Sequence, residues 1–113
     1  MLKGLGDMAK LMREAQKMQE RMTEAQSRIA GMSADGSAGA GLVRATATGE
    51  GEVKALKVDP SLIDGSMEKE VLEDLIVAAV NDAVRKAREQ AQAELAKVTE
   101  GLPLPPGFKF PGM

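Results

Sequence analysis

The residues of this chain whose types and spacing could do chemistry are cations at helical intervals. If residues 7–32 form one helix, Lys10, Lys17, Arg21 and Arg28 fall within roughly 40° of one another at about 100° per residue, with Arg13 nearby. Such a row can follow a run of phosphates, each cation displacing condensed counterions. It can equally be a solvated face, or the flank of a helix pair whose charges meet a partner's across the seam. Glu14 and Glu24 interrupt the row and are spaced to neutralise part of it through pairs three and four residues apart. Covalent and acid–base chemistry has little to work with. The 113 residues include no His and no Cys. That removes the usual metal ligands, the thiol nucleophile and the side chain that most often moves protons near neutral pH. The carboxylates are not spaced as a calcium loop, and the glycines of 31–41 match no nucleotide fingerprint. The expectation is therefore no enzyme, no catalytic residue, no metal, no cofactor and no small-molecule substrate.

The net charge of −2 and a pI near 5.2 argue against a generally basic polyanion binder. The local field matters more than the sum. Residues 60–84 set Lys69 against Asp64, Glu68, Glu70, Glu73, Asp74 and Asp82. The first 33 residues set Lys3, Lys10, Arg13, Lys17, Arg21 and Arg28 against Asp7, Glu14, Glu20 and Glu24. Both phenylalanines, Phe108 and Phe110, lie near the C-terminus, and there is no Tyr or Trp. No sheet can then offer an aromatic platform to single-stranded bases. A core built from Met, Leu, Ile, Val and Ala is thin for this length, so association with a second chain is expected. No secretory pattern and no run of transmembrane length is visible, which gives a cytoplasmic expectation with no membrane partner.

The elements that would position the cations read as follows. Asp7 is placed to cap a first helix running to about Met32. Met8, Leu11, Ala15, Met18, Met22, Ala25, Ile29 and Met32 repeat in a heptad pattern, the signature of a helix pair or coiled coil. Gly31 to Gly41 reads as a helix exit and linker, with room for a short edge strand around Ser33–Ser37. Leu42–Thr48 and Val53–Val58 alternate around Gly49-Glu50-Gly51-Glu52, which predicts a β-hairpin. Val43, Ala45 and Ala47 share one of its faces. Asp59-Pro60 ends the second strand. Ser66 is placed to cap a second helix from Met67 to about Thr99, with an apolar face of Leu72, Leu75, Ile76, Ala79, Val80, Ala83 and Ala87. Gly101 ends that helix. Residues 102–113, rich in proline, form a non-helical tail expected to be dispensable for folding. Residues 1–101 thus read as one α-β-β-α domain.

Five segments in this order resemble the YbaB/EbfC family of bacterial nucleoid-associated proteins. They are Leu11-Met12-Arg13-Glu14-Ala15-Gln16-Lys17-Met18-Gln19, Gly39-Ala40-Gly41-Leu42-Val43, Val58-Asp59-Pro60-Ser61-Leu62, the stretch from Leu72 to Ala83, and Leu104-Pro105-Pro106-Gly107-Phe108-Lys109. The resemblance implies an α+β protomer of long helix, small antiparallel sheet and long helix. It implies an intertwined homodimer with projecting helical arms that binds double-stranded DNA in the nucleoid. The family's basic helix positions map to Arg13, Arg21, Arg85 and Lys86. With the resemblance, the candidate DNA-binding residues are Lys10, Arg13, Lys17, Arg21 and Arg28 on the first helix and Arg85, Lys86 and Arg88 on the second. The rival expectation is a coiled-coil adaptor that docks protein partners without touching DNA.

Overall fold

The computed structural model describes residues 2–100. The elements are α1 (Leu2–Ala30), β1 (Ser33–Ala38), β2 (Val43–Thr48), β3 (Val53–Val58), a 3-10 turn (Pro60–Ile63), α2 (Lys69–Ala96) and a closing 3-10 turn (Lys97–Thr99). The class is α+β, as the sequence implied. The three strands form one antiparallel sheet in the order β1-β2-β3. The edge strand that the sequence left open in the linker is β1, paired along its whole length with β2 from Ser33↔Thr48 to Ala38↔Val43.

Three boundaries depart from the sequence reading. Asp7 is not a cap, because α1 already starts at Leu2 and runs through Gly4 and Gly6. Each glycine weakens a helix by about 1 kcal/mol relative to alanine without blocking its geometry. Ser66 does not cap α2. Its hydroxyl and its N–H both donate to Asp64 Oδ1, at 2.6 and 2.8 Å, which orients the side chain into a local turn before the helix. The helix starts at Lys69 with Glu68 in the cap position. At its other end α2 tightens into the 3-10 turn after Ala96. The readings for Gly101 and the 102–113 tail lie outside the described residues.

α2 covers one face of the sheet. Ala79, Ala83 and Ala87 are buried against Ala34, Val43, Ala45 and Ala47, with Leu62 from the first 3-10 turn closing the cluster. Leu72, Leu75, Ile76 and Val80 pack around it. The small residues let the backbones meet. A Cβ built on Gly36 of β1 would stand 2.1 Å from Ala83 N and 2.6 Å from Ala79 O. Glycine is therefore required there by contact. Gly49 plays the same part where α1 exits. A Cβ there would stand 2.3 Å from Ile29 O, and the Gly49 N–H donates to Met32 O at 3.0 Å.

α1 is joined to this body only at its C-terminal end. Ala25 and Ile29 are buried, as is Val98 in the closing turn, and Met18 and Met22 are half-buried. Every side chain from residue 4 to 17 is exposed. The heptad stripe thus splits into a packed half and a projecting arm.

Gly36→Ala should force α2 off the sheet. Overpacking of this kind costs about 1–3 kcal/mol, read as a lower urea midpoint. Gly6→Ala, with nothing within 4 Å of its Cβ, should not lower it. Equal stability of wild type and Gly36→Ala would contradict the packing described.

A candidate nucleic-acid interface

The cations of the two helices differ in their surroundings. Lys10, Arg13 and Lys17 are exposed along the projecting part of α1, and Arg21 is exposed at its base. Among the described residues none of them has a carboxylate within 4 Å. Glu14 and Glu24, spaced to neutralise them, do not. Arg28 is placed differently. It lies past the arm, and its Nε donates to Glu94 Oε1 of α2. Arg85 and Lys86 flank Asp82, at 2.6 and 3.0 Å. Arg88 is exposed and forms no ion pair among the described residues. The structure therefore gathers four of the candidate residues on the arm. It ties three others into ion pairs, Arg28 across to α2 and Arg85 and Lys86 within α2 itself.

Those pairs have structural work of their own. Asp82 also accepts the Ser37 N–H of β1 at 3.1 Å, fastening α2 to the outer strand. That bond is the first cause holding its carboxyl below the usual aspartate range, with Lys86 second. Among the described residues Glu94 is the one buried acid, its side chain 8% exposed. It accepts from Arg28 and, at 3.1 Å, from Lys97. The Arg28 hydrogen bond first, then that of Lys97, holds its carboxyl below the usual glutamate value, against the opposing effect of desolvation. Glu94 thus anchors the root of the arm to the end of α2.

A second group of unpaired cations was not singled out from the sequence. Arg44, Lys54 and Lys57, in β2 and β3, are exposed, and none has a carboxylate within 4 Å among the described residues. The alternation that predicted the hairpin already put Arg44 on the face away from Val43, Ala45 and Ala47. Its cross-strand neighbour Lys57 could have been found from the same register.

Among the described residues, no group of three or more Asp or Glu is placed to hold a metal ion. No helix there is long and apolar enough to cross a membrane. A shallow depression along α1 is lined by Gln16, Gln19, Glu20, Thr23 and Glu24. It is a polar helix surface rather than a walled site.

Because Glu94 binds its proton more weakly in the folded chain than its usual value of 4.5 implies, its stabilising effect is complete above that value. The effect is lost as pH falls through the lower, folded one. Glu94→Gln should therefore be less stable than wild type at pH 7 and lose less stability on acidification from pH 5 to pH 3, by urea unfolding. Parallel pH profiles for the two proteins would contradict the anchor.

Two comparisons place this architecture. The crystal structure of the uncharacterized protein HP0035 from Helicobacter pylori superposes with a TM-score of 0.63 at 22% identity, covering 79% of this chain and 91% of that one. That likeness speaks for the fold. The YbaB/EbfC DNA-binding family matches residues 4–102, from the arm through the sheet and the whole of α2. The chain belongs to the YbaB/EbfC DNA-binding family.

Proposed function

We propose that this protein is a non-enzymatic, nucleoid-associated protein of the cytoplasm. It binds double-stranded DNA as a homodimer, in an architectural or regulatory role carried by residues 1–101. The observation that carries the reading is the row of unpaired cations on the arm, in a chain of a DNA-binding family. Lys10, Arg13, Lys17 and Arg21 repeat along a helix with open solvent around them. Arg88 adds a free cation on α2. Arg28, Arg85 and Lys86 contribute to the field from within their ion pairs. Phosphate contacts of this kind fix a protein on a duplex without reading its sequence. On this reading the acidic first turns of α2 must face away from the DNA.

Dimerisation is supported by apolar surface left uncovered by one chain. On the arm, Leu5, Met8, Leu11 and Met12 are 61–66% exposed. On β3, Val53 and Leu56 pair with Ala47 and Ala45. They share the face that α2 covers, yet lie beyond its reach at 43% and 44% exposure. A second copy laid along β3 and the arm would cover both regions. The same apolar arm suits a different protein partner, which is the adaptor reading; binding to bare duplex separates the two.

Sedimentation at low micromolar concentration should give a dimer. Leu56→Lys should raise its dissociation constant by about tenfold or more, since burying a leucine contributes about 1.5–3 kcal/mol. A stable folded wild-type monomer would contradict the dimer.

Fluorescence anisotropy on unrelated duplexes tests the DNA contact. If a dimer neutralises about six phosphates, log affinity falls with log salt with a slope of about −5. Arg13→Glu with Arg21→Glu should weaken binding to every duplex and flatten that slope. An unchanged affinity and slope would remove the arm from the interface.

A further inference from the structure

We propose that Arg44 and Lys57 form a second phosphate-binding site, on the open face of the sheet, which takes a backbone phosphate of the same DNA. This inference rests on the DNA-binding reading but concerns a surface the helices do not include. Arg44 and Lys57 are directly opposite each other in the β2–β3 ladder. Side chains in such positions stand about 5 Å apart, and like charges there destabilise a sheet. Among the described residues neither cation has a carboxylate within 4 Å. Both residues line one shallow cleft with Asp35, Thr46 and Ala55, and a second with Gly41, Leu42, Val58 and Asp59.

The two carboxylates bordering these clefts are otherwise engaged. Asp35 accepts the Thr46 hydroxyl at 2.7 Å. Asp59 accepts the Ser61 N–H at 2.9 Å. Neither lies within 4 Å of the cations. By contrast, Arg28, Lys69, Arg85, Lys86 and Lys97 all have carboxylate partners. The strands themselves carry Arg44, Lys54 and Lys57 against Asp35 alone.

The geometry also prepares the pair for an anion. Arg44 Nε donates to Gly41 O at 3.2 Å. This holds the guanidinium plane and leaves its terminal N–H groups for a ligand, in the fork that suits phosphate oxygens. α2 covers the opposite face of the sheet, so a duplex can reach this one. The uncovered apolar side chains Val53 and Leu56 also belong to the opposite face. A second copy seated on them leaves Arg44 and Lys57 open.

An anion bridging the two cations would convert a repulsive cross-strand pair into an attractive one. Affinity and stability then respond in opposite directions to one substitution. Lys57→Glu creates an opposite-charge pair with Arg44, so its melting temperature should equal or exceed that of wild type. Its duplex affinity should fall, with the salt slope shallower by about 1 for each phosphate that is no longer neutralised. Lys57→Arg should keep wild-type affinity and slope. Arg44→Glu with Lys57→Glu should weaken duplex binding further, with the dimer intact by sedimentation.

The experiment is the salt series in anisotropy on full-length protein, with melting and sedimentation of each variant. Wild-type binding that Lys57→Glu leaves unchanged, while the arm charge reversal weakens it, overturns the sheet site and leaves the DNA-binding reading standing. A loss of self-association in the sheet variants makes the pair a contact between copies and overturns it as well. Failure of wild type to bind any duplex overturns both readings.

Discussion

The fold depends on one close approach, that of α2 to β1 across Gly36. The sheet is only three strands wide, and its buried cluster is mostly alanine. Such a core cannot gain much from the area of any single side chain. It gains from backbones brought near enough for small groups to fill the space to normal interior density. Ala79, Ala83 and Ala87 form the helix side of that contact, and Gly36 removes the one side chain that would block it. Asp82 adds a polar clasp at the same place by accepting the Ser37 N–H.

Two functional consequences follow from this layering. A single helix covers a single sheet face, so the other face, with Arg44 and Lys57, stays in solvent. The same helix receives α1 only near Glu94, so the first half of α1 leaves the body as an arm. The acidic total does not decide whether such a molecule meets a polyanion. Glu70, Glu73 and Asp74 open α2, and Asp7, Glu14, Glu20 and Glu24 share α1 with its cations without pairing with them among the described residues, while further unpaired cations stand on the sheet. Local charges within about 10 Å of a phosphate govern the contact at physiological salt.

The hairpin was legible because alternation and turn residues agree. Val43, Ala45 and Ala47 face the helix as their spacing predicts, and the apolar face of α2 is the one its periodicity marks. β1 was harder to read. Ser33-Ala34-Asp35-Gly36-Ser37-Ala38 has little intrinsic strand preference, and its pairing is set by β2 on one side and by α2 above it. Asp7 and Ser66 had the right chemistry for caps. Helix continuation through Gly4 and Gly6 overrode the first, and a competing bond to Asp64 overrode the second. Among the charges, the Asp82 pairs with Arg85 and Lys86 follow from spacings of three and four along one helix. The Arg28–Glu94 pair joins residues 66 apart, and only the tertiary fold brings them together.

Duplex DNA, on this account, is held by the unpaired cations of the arm. The most direct test is nuclear magnetic resonance mapping of isotope-labelled protein titrated with a short duplex, following arginine and lysine side-chain signals together with the backbone amides. The expected result is perturbation of Lys10, Arg13, Lys17 and Arg21, with Glu70, Glu73 and Asp74 of α2 unmoved. Perturbation confined to the acidic turns of α2, or none on the arm at saturating duplex, would contradict it.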